Sequence, residues 1–264
     1  MSNAPGDRLV PALLVLTAAL VAGACADAAE QGVDGALGAV SQDPLGAFVD
    51  PVAGPPAAEV RVLDIDTALL PRIREQFNVV DTPAGTLVGG ISMGGMGSLR
   101  MAFKHPGRFA AVAALEPGIE PVLSFDEIEL DDRFWRSRTL FEERYGKPVD
   151  RAYWQANNPA SIVVDRAAAI RDSGLEIYLE VGDQDSFNLH RGTEFLHRLL
   201  FDNGISHGYR LIAGADHLGA TLPSRFLYAF AELDQALAPP PEDRSLQPLH
   251  RYIERLRRNA GLEP

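Results

Sequence analysis

The sequence predicts an α/β fold, with a mostly parallel sheet, helices on both of its faces and a cap insertion. Three observations carry this expectation. From residue 85 to residue 237, strand-like runs alternate with helix-like runs, as in a sheet built from crossover connections. Phe109-Ala110-Ala111-Val112-Ala113-Ala114-Leu115 is apolar throughout, which suits a central strand covered on both sides. Gly90-Ile91-Ser92-Met93-Gly94 reads G-x-S-x-G between a partly β-branched run and a helical run, which suits a serine on a sharp strand-to-helix turn.

The elements follow in order. Residues 9–24 are nearly continuous apolar sequence with Arg8 before them, and two readings compete. One is an export signal ending in Ala22-Gly23-Ala24-Cys25, where Cys25 would be the lipidated first residue of a secreted or membrane-anchored protein. The other is a core strand over 10–16 in a cytoplasmic protein. The run is short for a transmembrane helix. Residues 26–58 read as a linker or irregular region, with 45–49 as a strand inside it. Asp66 can cap a helix carrying Leu69, Leu70, Ile73 and Phe77. Strand 85–91 delivers Ser92, and the helix after it is expected over 98–104, ending near Pro106. Strand 109–115 follows.

Residues 116–163 break the alternation. Pro117, Pro121, five acids from Asp126 to Asp132 and six aromatics from Phe134 to Trp154 stand in them, and we read them as the cap insertion. A connecting region with its own small core explains the same residues. A helix over 165–172, a strand over 175–181, an amphipathic helix over 190–203, a strand over 209–212 and a helix over 222–237 complete the domain, 59–238. Pro239-Pro240-Pro241 ends it. The tail helix, 246–258, presents Arg251, Arg255, Arg257 and Arg258, most simply as a solvated face.

Composition narrows the function classes. With 46% hydrophobic residues, the 264-residue chain can build a sizeable core. A net charge of −12 argues against nucleic acid as the main partner. One cysteine permits neither an internal disulfide nor a multi-Cys metal site, and the six His show no metal-ligand spacing. No cofactor is expected.

In an open parallel sheet, reactive residues gather beyond the C-terminal strand ends. Strand 175–181 runs into Gly182-Asp183-Gln184-Asp185, and strand 209–212 into Gly214-Ala215-Asp216-His217. The order serine, acid, histidine is therefore present, with Asp183 and Asp185 as rival acids. Serine is a poor nucleophile until a base takes its proton. His217 would be that base, a carboxylate would hold its other nitrogen, and the Met93 N–H would stabilise an oxyanion. His207 stands at a strand start and His190 at a helix start, so neither suits the role. G-x-S-x-G alone is a weak pattern in a chain with 24 Gly, and a glycine-rich packing turn would look the same.

Leu69-Leu70-Pro71-Arg72-Ile73, Gly89-Gly90-Ile91-Ser92-Met93-Gly94-Gly95 and His105-Pro106-Gly107-Arg108-Phe109 together resemble the Putative esterase family of α/β-hydrolases. That family includes S-formylglutathione hydrolases, feruloyl esterases and mycolyltransferases. The resemblance covers about residues 64–236. It implies an α/β-hydrolase fold and a serine carboxylesterase acting on a small-molecule ester through an acyl-enzyme. It also implies Asp185 as the acid, through the family's G-x-x-D motif on Gly182 and Asp185, and His217 as the base. Acyl transfer to an alcohol and a truncated, non-catalytic binding protein are the rivals. Two departures stand out. The family's H-G-G-like loop, source of the second oxyanion N–H, has no counterpart. Thr17-Ala18-Ala19 would take its place if 10–16 is a strand, and the sheet would be incomplete if 9–25 is cleaved. Glu116 follows strand 109–115 where the family often has a small residue, and faces either a pocket or solvent. Glu116, Trp135 and Trp154 are the candidate substrate contacts, and core packing is the alternative for the two tryptophans.

Overall fold

Among the described residues, five parallel strands lie side by side in chain order: β1 (Ala12–Val15), β2 (Thr86–Ile91), β3 (Ala111–Leu115), β4 (Glu176–Gly182) and β5 (Gly208–Ile212). The computed structural model describes residues 69–239, 241 and 243–262, and the backbone of 12–15. Thr17-Ala18-Ala19, Cys25, the 26–58 linker with its 45–49 strand and the Asp66 cap lie outside the described residues. The contested apolar run contains β1, which pairs with β2 from Ala12↔Thr86 to Val15↔Gly89.

Alternation along the strands sorts side chains onto two faces. Val88, Val112, Ala114, Ile177 and Leu179 face a core shared with α2 (Met93–Lys104), α5 (Pro159–Arg171) and α6 (Leu189–Asp202). Leu87, Ala111, Ala113, Leu115 and Tyr178 face Ala229 and Leu233 of α7 (Leu222–Leu237). The α/β-hydrolase sheet expected from the sequence is thus covered on both sides. Its register brings the ends of β2 and β3 level, with Ile91↔Leu115, and β4 runs on past Leu115↔Glu180 to Gly182. Ser92, Glu116, Asp185 and His217 all lie just beyond strand ends.

Some boundaries differ from expectation. Helix α2 begins at Met93, five residues before the expected start. Gly95 explains this, because a Cβ there would stand 3.1 Å from the carbonyls of both Gly90 and Leu115. Close packing of helix on sheet outweighs the low helix propensity of glycine. Helix α5 begins at Pro159 rather than 165, because Asn158 Oδ1 accepts from the Ala160 N–H at 3.3 Å and Pro159 suits the first helical position. In α1 (Leu70–Gln76), Leu70 is buried and Ile73 packs on the core, but Phe77 follows the helix and is exposed.

The insertion holds α3 (Arg138–Tyr145), α4 (Arg151–Gln155) and short 3-10 turns. Phe141, Tyr145 and Trp154 form a small core of their own, with Phe125 edge-on to Phe141 and Trp154. Buried Arg136 holds the insertion together by donating to the Gly118 carbonyl at 2.9 Å and to Glu120, and reaches Met96 Sδ of α2 at 3.5 Å. The tail helix α8 (Gln247–Asn259) has no buried residue, so its arginines are exposed as expected. No helix among the described residues is long and apolar enough to cross a membrane.

Candidate active site

Ser92 occupies the corner between β2 and α2 with φ 57° and ψ −122°. A positive φ is uncommon for a residue with a side chain and is held only where neighbours fix it. Here the Ser92 N–H donates to the Leu115 carbonyl at 2.9 Å, and the Ser92 carbonyl accepts from Met96 at 3.0 Å and Gly118 at 3.2 Å. Met93 is the first residue of α2, so its N–H is among those a helix leaves without an internal partner. That N–H and the positive end of the helix dipole both favour an anion beside Ser92.

His217 and Asp185 form a buried pair, with Nδ1 to Oδ2 at 2.8 Å and no exposure of the Asp185 side chain. Asp185 Oδ1 accepts from the N–H groups of Phe187 at 2.8 Å and Leu189 at 3.3 Å. Burial alone would raise this carboxyl; the bonds to His217 and Glu116 outweigh it and hold the group below its ordinary value. Asp183, the rival acid, instead accepts from the Gly214 N–H at 2.7 Å. Asp216 clasps the two loops by accepting from the Ser186 N–H at 2.7 Å and the His217 N–H at 2.6 Å. Gly182 lets these loops approach, since a Cβ there would stand 2.1 Å from the Ala215 carbonyl. With Nδ1 engaged, Nε2 is the nitrogen left for a serine proton. No hydrogen bond joins Ser92 Oγ to His217 here. Such bonds are often long without substrate and tighten on binding.

Glu116 completes the cluster. One ligand-type atom from each of Glu116, Asp185 and His217 lies within 4.8 Å of the others. These three could surround a metal ion, but their oxygens are already engaged. Arg225 donates to Glu116 Oε1, the Gly182 N–H donates to both Glu116 oxygens, and both Asp185 oxygens have partners. An ion would have to compete with a buried guanidinium for the same oxygen.

A family model described as Putative esterase matches residues 33–203, about two thirds of the chain. The chain belongs to the Putative esterase family. The match contains Ser92 and Asp185; His217 lies beyond it. Among solved structures, a ferulic acid esterase is similar at 19% identity and a TM-score of 0.51, over 66% of this chain and 61% of that one. An S-formylglutathione hydrolase from Staphylococcus aureus is similar at 16% identity and 0.51, over 68% and 65%. At these identities the likeness is one of fold, the α/β-hydrolase fold. The chain spans less than two thirds of the length of these structures.

Ser92, Asp185 and His217 thus follow β2, β4 and β5 at one edge of the sheet. The other candidates fall differently. Glu116 is fully buried against Asp185 and Arg225, so it faces neither an open pocket nor solvent. Trp154 is 1% exposed inside the insertion's own core, which corrects its reading as a substrate contact. Trp135 stands edge-on to Phe187 at 6.2 Å, and Phe187 edge-on to His217 at 4.7 Å, so these two rings lead away from the histidine. His207 pairs with His197 at 2.7 Å rather than with an acid. Sequence reasoning missed Arg225, Glu180 and Phe187. Arg225 carried a signal, because it shares the buried face of α7 with Ala229 and Leu233 at i+4 and i+8.

Proposed function

We propose that this protein is a serine hydrolase that cleaves small carboxylic esters through an acyl-enzyme on Ser92. The observation that carries the reading is the buried His217–Asp185 hydrogen bond at the same edge of the sheet as a serine in strained elbow geometry. Ser92 Oγ attacks the ester carbonyl as His217 Nε2 takes its proton. The tetrahedral oxyanion accepts from the Met93 N–H. Collapse breaks the bond to the alcohol oxygen, which leaves with the proton from His217. Water then attacks the acyl-serine with His217 again as base, releasing the acid and restoring Ser92. Asp185 fixes the imidazole tautomer and stabilises the imidazolium. Phe187 beside His217, with Trp135 behind it, favours an apolar or aromatic group on the substrate. A second oxyanion donor would come from the segment after β1.

The direct check is turnover of p-nitrophenyl acetate. The wild-type protein should release nitrophenol well above background, and Ser92→Ala should fall to background. Equal rates for the two proteins would contradict the assignment of the nucleophile.

A further inference from the structure

The end of β3 carries an acid in an unusual setting. Glu116 has φ 45°, in the left-handed region, and is fully buried. Its N–H donates to the Glu180 carbonyl at 2.7 Å. Its carboxyl accepts from the Gly182 N–H at 3.0 and 3.2 Å and from Arg225, and lies within 4.8 Å of the carboxyl of Asp185. Arg225 is shared, since its Nε donates to Glu180 at 2.5 Å and its other nitrogen to the Asp216 carbonyl at 3.3 Å. Glu180 also accepts from the Tyr178 hydroxyl and from half-exposed Arg210.

Charge balance decides the state of this cluster. Three buried carboxyls, on Glu116, Glu180 and Asp185, face one buried cation, Arg225. Glu180 has two arginines and a hydroxyl. Asp185 has His217 and two N–H groups. Glu116 has only a shared arginine and one N–H, and stands against another acid. Like charges at that separation cannot both ionise without cost.

We propose that Glu116 is a positioning residue that donates its carboxyl proton to Asp185, fixing that carboxylate against His217 Nδ1, while Arg225 and the Gly182 N–H fix Glu116. This rests on the reading of Ser92, Asp185 and His217 given above. The mechanism of Ser, His and one acid becomes here a line of Ser, His and two carboxyls sharing one proton. Burial first, then the bond to Asp185, push the Glu116 carboxyl up to about 8 against the opposing pull of Arg225. At neutral pH the proton is therefore in place. Above that range the two carboxylates repel, and Asp185 loses a donor.

The test follows the rate at which a fluorophosphonate labels Ser92 from pH 6 to pH 10. It compares wild type, Glu116→Gln and Glu116→Ala, with folding checked by circular dichroism. The wild-type rate should fall above about pH 8. Glu116→Gln, which keeps a neutral donor, should stay within about threefold of wild type at pH 7 and lose the alkaline fall. Glu116→Ala should label about 10- to 100-fold more slowly at pH 7, with unchanged probe affinity, as expected for losing a hydrogen bond to a charged group. A Gln variant as slow as the Ala variant would overturn the proposal, because it would show that an ionised carboxylate is needed. Identical pH profiles in wild type and Glu116→Gln would also overturn it, and this comparison decides alone if Glu116→Ala does not fold. No labelling of the wild type at any pH would overturn the serine-hydrolase reading itself, and this inference with it.

Discussion

Ser92, Asp185 and His217 depend on neighbours that share no local pattern with them. Ser92 holds its positive φ because Leu115, Met96 and Gly118 bond its backbone. Asp185 meets His217 because Phe187 and Leu189 aim its other oxygen. This division of labour predicts the effect of removing each loop acid. Asp185→Asn should lower ester turnover by about 10³- to 10⁴-fold, because an amide favours the wrong histidine tautomer. Asp183→Asn should cost less than about tenfold, since Asp183 only steadies the loop after β5. Steady-state kinetics on both variants checks this, and the reverse ranking would move the acid to Asp183. The three motif residues were legible because strand ends and chain order constrain them. The two aspartates could not be separated by spacing, because they lie two residues apart on one loop. Glu116 and Arg225 were opaque as a pair, because they meet across 109 positions of sequence.

At the scale of elements, the strand ends organise the site, and close backbone approach sets their level. Gly95 seats α2 against β2 and β3, and Gly182 brings the Asp185 loop onto the His217 loop. The strands were legible from apolar runs, and α7 was legible from end to end. The start of α2 was not, because three glycines hide a helix that packing requires. The start of α5 was missed although Asn158-Pro159 carries an N-cap signal, because the aromatic-rich stretch before it was read as one insertion. β1 lies inside the segment that also reads as an export signal, and it pairs along Thr86–Gly89. Cleavage before Cys25 would remove this strand and expose the backbone of β2. Intact-mass measurement of protein purified from its own cells should therefore find residues 12–15 retained. A lipidated chain beginning at Cys25 would contradict that expectation and place the protein at a membrane.

At the scale of the whole molecule, the buried carboxyls link stability to pH. The folded protein keeps the Glu116 proton up to about pH 8, whereas the unfolded chain releases it near the ordinary value of 4.5. The folded state therefore binds more protons across this window, and stability falls as pH rises through it. Asp185 has the opposite sign: its contribution is present above its ordinary value of 3.8 and lost as pH falls below it. Thermal melts should show wild type losing stability relative to Glu116→Gln between about pH 5 and pH 8.5, and parallel curves would contradict this. The mostly parallel sheet, its two covered faces and the family were legible from alternation and motifs. The charge network beneath the site was not, because it assembles from β3, β4, β5, α7 and two loops only in the folded state. The central claim, an activated serine at position 92, is tested most directly by mass spectrometry after exposure to a fluorophosphonate. The account predicts one adduct per chain on Ser92 and none in a folded Ser92→Ala variant. A folded wild-type protein that stays unlabelled, or labels elsewhere, would contradict it.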